Sequence, residues 1–161
     1  MEALVMKYPA IKNYVVGKEI SNKSGKHLDV VSPLDGSLLS RVPLSSMEDL
    51  DVAVEAAKKA FETWSKTPIK ERAQAFFRYK TLLEKNMLEL SKLVQEENGK
   101  TLDEARAEVE KSIELTEFAC SLPQLIGGEI LEVSKGVEFR TDYYPIGVVA
   151  CIVPFNFPSM V

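Results

Sequence analysis

Apolar positions change their spacing several times along this chain, and each change predicts a different kind of element. Between residues 14 and 44 they form short β-branched clusters broken by turn residues: Tyr14-Val15-Val16 before Gly17, His27 to Val31, and Leu38 to Val42 behind Pro33-Leu34-Asp35-Gly36. Such runs predict short strands in a small antiparallel layer. From Ser45 the period becomes helical, with Leu50, Ala53, Val54, Ala57, Phe61 and Trp64 three or four apart behind Ser45 and Glu48 at capping-box spacing. Thr67-Pro68 has the form of an N-cap followed by proline at the first helical position, and Ile69, Ala73, Phe76, Phe77 and Leu83 supply the buried side of a second helix. Asn86 with Glu89 opens a third, carrying Leu90, Leu93 and Val94 and closing at Asn98-Gly99, where glycine can take the left-handed conformation of a C-cap. Thr101 with Glu104 is another capping box, opening a fourth helix with Ala105, Val109, Ile113 and Cys120 on one face and Pro123 as its stop.

Beyond Gly127-Gly128 the period shortens to two. Ile130 to Val133 and Val137 to Tyr143 flank Ser134-Lys135-Gly136 as the arms of a hairpin. In the second arm Val137, Phe139, Thr141 and Tyr143 alternate with Glu138, Arg140 and Asp142, so one face is wet and the other needs cover. A two-stranded ribbon is marginal alone, so this one is expected to pack on something, another subunit among the candidates. Next comes a nearly unbroken apolar run, Ile146-Gly147-Val148-Val149-Ala150-Cys151-Ile152-Val153, closed by Pro154-Phe155-Asn156-Phe157-Pro158. This density predicts a strand buried on both faces of a parallel sheet. Parallel neighbours and crossover helices would have to accompany it, and only Ser159, Met160 and Val161 follow. The expectation is therefore the front part of a longer protein.

Composition narrows the partners. An apolar content of 45% and a charged content of 27% are ordinary for a globular protein, which at this length could bury roughly 70% of its unfolded surface. The sequence has no run of about 18 apolar residues that could span a membrane. Twenty basic against twenty-four acidic residues, net charge -4, with no basic cluster interleaved with aromatics, argue against a nucleic-acid partner. Met1 to Tyr8 has no targeting pattern. Cys120 and Cys151 lie 31 positions apart and His27 is the sole histidine, which argues against a Cys/His metal site or Cys-His dyad within these residues and suits a reducing cytoplasm.

Most candidate chemistry has a plainer reading. Gly99-Lys100-Thr101 looks like the end of a phosphate-binding P-loop, but Val94 stands where that pattern needs glycine and a helix, not a strand, precedes it. A C-cap followed by an N-cap accounts for all three residues. Glu96-Glu97 and Glu108-Val109-Glu110 are expected on solvent-facing helix surfaces without an acid/base partner. Cys120 and Cys151 read as buried, inert hydrophobes, and His27 as a surface or pairing residue. Asn156 differs. An amide just beyond the carboxyl end of a buried parallel strand stands where open α/β sheets place ligand-binding groups. Flanking prolines restrict the backbone, and the amide could donate to an oxygen gaining negative charge. Equally, the segment could be a tight turn with Asn chosen for its tolerance of unusual backbone angles.

The motif Pro154-Phe155-Asn156-Phe157-Pro158 after Pro145-Ile146-Gly147-Val148-Val149 resembles the P-W/F-N-F/Y-P motif of the aldehyde dehydrogenase superfamily. Val30-Val31-Ser32-Pro33-Leu34-Asp35-Gly36, Ala56-Ala57-Lys58-Lys59-Ala60-Phe61-Glu62-Thr63-Trp64, and Glu97-Asn98-Gly99-Lys100-Thr101 with Glu104-Ala105 and Glu108-Val109 follow in that family's order. Phe155 in place of the commoner tryptophan, with Glu117-Phe118-Ala119-Cys120-Ser121-Leu122-Pro123, is similar to the methylmalonate-semialdehyde dehydrogenase branch.

The resemblance implies an α/β fold in which residues 1–127 are the N-terminal part of a cofactor-binding domain, 128–145 an oligomerisation hairpin, and 146–161 the first strand and turn of a Rossmann-like sheet. It implies NAD-dependent oxidation of a semialdehyde to an acyl-CoA through a cysteine thioester, with coenzyme A as co-substrate and a homodimer or homotetramer as the assembly. Asn156 matches the oxyanion-stabilising asparagine, and Val153, Pro154 and Phe155 match the segment lining the nicotinamide side. The family's nucleophilic cysteine, glutamate base, adenosine-ribose lysine and glycine turn lie beyond the position of Val161, so the chain alone is expected to be inactive. A succinate-semialdehyde type of enzyme, or a non-catalytic assembly module, are the other readings.

Overall fold

Residues 5–161 are described by a computed structural model. Strands β1 (Asn13–Val15) and β2 (Lys18–Ile20) pair antiparallel across Val16 and Gly17, whose φ angles of 52° and 72° make the doubly left-handed turn that suits strand twist. β3 (His27–Val31) pairs with β4 (Leu38–Pro43) around the Pro33-Leu34-Asp35-Gly36 turn. These are separate two-stranded sheets, not the single layer expected. Backbone N–H groups of Lys7, Tyr8 and Ile11 bond the carbonyls of Leu38, Leu39 and Arg41 at 3.1, 2.8 and 2.8 Å, so residues 7–11 lie along β4. There Leu38 and Leu39 are buried.

Four helices follow: α1 (Met47–Trp64), α2 (Ile69–Lys85), α3 (Met87–Asn98) and α4 (Leu102–Leu125). The box that starts α1 is Ser46 with Asp49, one residue later than expected. Asp49 wins because its other oxygen accepts from the Lys23 backbone at 3.0 Å, tying the β2–β3 loop to the helix, while Ser45 donates to Asn13 and Glu48 pairs with Lys23. Pro68, not Thr67, stands at the N-cap of α2, since the Thr67 hydroxyl donates back to Thr63 O at 3.2 Å. Asn86 likewise gives α3 no side-chain cap, because its Nδ2 donates back to Leu82 O in the last turn of α2 at 2.8 Å. Thr101 and Glu104 form the expected box on α4. That helix runs through Pro123 to Leu125.

α2 and α3 pack against α4, with Val94, Ala105 and Val109 at the centre and Met87 and Leu90 against them. Fully buried Ser91 turns its hydroxyl to Met87 O at 2.7 Å, and small side chains at Ser91 and Ala105 leave little bulk at the α3–α4 contact. The buried face of α4 is more polar than the pattern suggested: Glu108, Ser112 and Thr116 are buried, whereas Ile113 and Cys120 are only half-buried.

The hairpin is present as β5 (Glu129–Ser134) and β6 (Val137–Thr141), with Leu131 opposite Phe139. Its residues are almost all exposed. Gly128 sits so close to its root that a Cβ there would lie 2.3 Å from Thr141 O. The apolar run behind it does not behave as a buried strand: residues 146–153 join no sheet, Ile152 is fully exposed, and Cys151 is exposed as well. A two-sided strand needs ladder partners and helices over both faces, and the described residues provide neither. Among the described residues no helix is long and apolar enough to cross a membrane.

Candidate functional site

Residues 155–160 form consecutive turns, and the junction between α3 and α4 holds them through side chains on both of its flanks. Gly99 ends α3 in the left-handed conformation, φ 82°, and Thr101 restarts the chain as α4. With the junction so capped, Asn98 and Lys100 both reach the turn. Asn98 Nδ2 donates to Phe155 O at 2.9 Å, and Lys100 Nζ donates to Asn156 O at 2.6 Å while lying 4.2 Å from the Phe157 ring centre.

Lys100 Nζ also forms an ion pair with Glu108, about two turns into α4. The Glu108 side chain is 1% exposed and that of Lys100 17%. The second Glu108 oxygen accepts the Ser159 N–H at 2.7 Å, and the Ser112 and Ser159 hydroxyls lie 2.8 Å apart. A carboxylate this buried is tolerable only when paired and hydrogen-bonded, and both conditions are met here.

Gly99 and Thr101 are therefore the caps that the sequence predicted, but Glu108 is not on a solvated face. Apolar periodicity does not mark it, although Ala105, Glu108, Ser112 and Thr116 follow helical spacing as well as the apolar positions do. Glu96 is partnered too: it accepts from Lys7 Nζ at 2.7 Å and from the Tyr8 hydroxyl at 2.9 Å. The Lys7 hydrogen bond, more than its other neighbours, holds the Glu96 carboxyl below its ordinary range. The contact joins the segment beside β4 to α3.

Asn156 is exposed, as are Val153, Pro154 and Phe155, so the four sequence-predicted site residues share one open stretch. What distinguishes Asn156 is its backbone. The peptide planes on its two sides end in the carbonyls of Phe155 and Asn156, and each has its own donor from the α3–α4 junction. His27 is exposed, with Nδ1 3.1 Å from Gly25 O. Among the described residues no group of three or more His, Cys, Asp or Glu is placed to hold a metal.

Comparison with known proteins places the chain beside a known family. The model of the aldehyde dehydrogenase family matches residues 20–161. Malonate-semialdehyde dehydrogenase 2 of Geobacillus kaustophilus is 47% identical over 152 residues, covering 94% of this chain and 31% of that protein. The protein of the same name in Bacillus mycoides is 49% identical over 152 residues, covering 94% and 32%. Among solved structures, a methylmalonate-semialdehyde dehydrogenase from Oceanimonas doudoroffii superposes with a TM-score of 0.88 at 36% identity, over 96% of this chain and 32% of that one. A Sinorhizobium meliloti 1021 protein, assigned as a methylmalonate-semialdehyde dehydrogenase and solved with NAD, gives 0.88 at 35%, with the same coverage of 96% and 32%. The chain thus spans about a third of the length of the relatives it matches.

Proposed function

The chain belongs to the aldehyde dehydrogenase family, and from that premise we propose that it supplies the oxyanion-stabilising turn of an NAD-dependent, CoA-acylating oxidation of a semialdehyde of the malonate or methylmalonate type. The observation that carries the proposal is the doubly anchored backbone of Asn156. Its side-chain amide has two N–H donors that can stabilise an aldehyde oxygen as it gains charge, and a backbone restrained on both sides narrows the directions from which they approach.

Bound NAD would supply the hydride acceptor. The residues present suit its nicotinamide end: Val153, Pro154 and Phe155 form an exposed, uncharged strip ending in an aromatic ring. Coenzyme A as acyl acceptor, and the division into residues 1–127, 128–145 and 146–161, belong to the same reading. Within these residues neither cysteine suits the nucleophile. Cys151 is exposed and Cys120 half-buried, and no hydrogen bond ties either to a base among the described residues. Their unpaired state fits a reducing cytoplasm. The exposed apolar hairpin, with Leu131 and Phe139 each 53% exposed, fits assembly into a dimer or tetramer.

The reading is tested with a complete enzyme carrying these 161 residues. NADH formation from malonate or methylmalonate semialdehyde should require CoA for turnover. Equal turnover without CoA would favour the succinate-semialdehyde type. The isolated chain should form no NADH from any of these aldehydes, and aldehyde-dependent NADH formation by it would overturn that part.

A further inference from the structure

The buried Lys100–Glu108 pair takes no part in the chemistry proposed above, yet it grips the backbone of the residue that does. We propose that Lys100 and Glu108 are positioning residues that aim the Asn156 amide, an inference that rests on Asn156 being the oxyanion donor. A peptide unit is planar, so a residue's orientation is set once the planes on its two sides are fixed. Asn98 fixes the plane ending in Phe155 O, and Lys100 fixes the one ending in Asn156 O. With both carbonyls held, φ and ψ of Asn156 are restricted, and so is the direction in which its Cα–Cβ bond leaves the backbone.

Glu108 does the same work one step removed. Its ion pair keeps Lys100 Nζ at the turn, and its other oxygen holds the Ser159 N–H, closing the segment from the far side of Asn156. Phe157, between Asn156 and Pro158, is restricted by the proline and packed under the Lys100 ammonium. Fold stability alone is a poor account of such a pair, since apolar residues of similar volume often replace a buried ion pair without loss. An apolar pair could not hold a carbonyl.

Positional tolerance sets the expected effect. A catalytic group must be held to about 0.5 Å, and a misplacement of about 1 Å can cost on the order of 100-fold. In a complete enzyme carrying these residues, Lys100→Met should lower kcat by about 10- to 100-fold while KM for aldehyde and for NAD stays within about threefold. Lys100→Arg, which keeps the charge and the donors, should recover most of the rate. Lys100→Met/Glu108→Met leaves no stranded buried charge, so it should melt near the parent enzyme yet remain slow.

The decisive comparison is with Asn156→Ala. If Lys100 acts through Asn156, Lys100→Met should cost less than about twofold more on the Asn156→Ala background. A full, independent loss on that background overturns the inference, as does a Lys100→Met enzyme with parental kcat. If Asn156→Ala itself runs at the parental rate, the oxyanion reading fails instead. If it is slow and Lys100→Met is fast, only the positioning role fails. Should Lys100→Met not fold, Glu108→Gln, nearly identical in shape, carries the same comparison.

Discussion

Replacing Glu108 should release the Asn156 turn without unfolding the helices beneath it. The Ser159 N–H donates to the Glu108 carboxylate at 2.7 Å, a side chain 1% exposed that also pairs with Lys100. A hydrogen bond to a charged acceptor contributes about 1.5–3 kcal/mol. At about 1.4 kcal/mol per factor of ten, its loss in Glu108→Ala should speed exchange of the Ser159 amide by roughly 10- to 150-fold. Glu108→Gln keeps a neutral acceptor and should lose only about 1 kcal/mol, roughly fivefold. The Gly99 amide, bonded to Gln95 O at 2.8 Å within the α3 C-cap, is the internal control and should change little. Hydrogen exchange followed by NMR reads both amides in one sample. The reasoning is refuted if Ser159 exchanges equally in all three proteins, or if Gly99 accelerates in step with it, since the carboxylate would then act on the whole fold.

Further outcomes concern the rest of the chain. Val16 is a β-branched residue at φ 52° and is 79% exposed, so Val16→Asn should relieve about 1 kcal/mol of backbone strain and raise the melting temperature by about 2–4 °C. An unchanged or lower melting temperature contradicts this. Gly128→Ala would place a Cβ 2.3 Å from Thr141 O, so the β5–β6 ladder should lose protection by tenfold or more while Val109 amide exchange stays constant, roughly 1–3 kcal/mol of local strain. An unaltered ladder would show that the root has room to shift. Glu96, whose carboxyl is held low chiefly by Lys7, contributes stability that is complete above the ordinary carboxylate range, because the unfolded chain binds the proton more readily. That contribution is lost as pH falls through its lowered value, so acid should loosen the Tyr8 amide from Leu39 O, and Glu96→Gln should flatten the dependence.

Sequence periodicity located α1 to α4 and the β5–β6 hairpin because each repeats a local rule over many residues. The Thr101–Glu104 box and Gly99 cap were legible for the same reason. Local rules placed α1's cap one residue early, since Ser45–Glu48 and Ser46–Asp49 satisfy the same spacing and only the Lys23 contact separates them. β2 escaped notice because Lys18-Glu19-Ile20 carries no apolar alternation. The buried strand expected at residues 146–153 needs partners far away in sequence, and the exposed Ile152 and Cys151 show how little such a run does without them. Asn156 is visible through its motif; Lys100 and Glu108 also stand in the motifs quoted above, but nothing there marks them as partners. Their meeting depends on a left-handed residue turning α3 into α4, and a buried charged pair has no hydrophobic pattern to betray it.

The central claim is that the Asn156 amide stabilises a developing oxyanion, and steady-state kinetics of Asn156→Ala in a complete enzyme carrying these residues tests it most directly. Losing one such donor costs about 100- to 1000-fold in kcat, and KM for NAD should stay near the parental value. A kcat within threefold of the parent, or a loss confined to KM, would contradict the account.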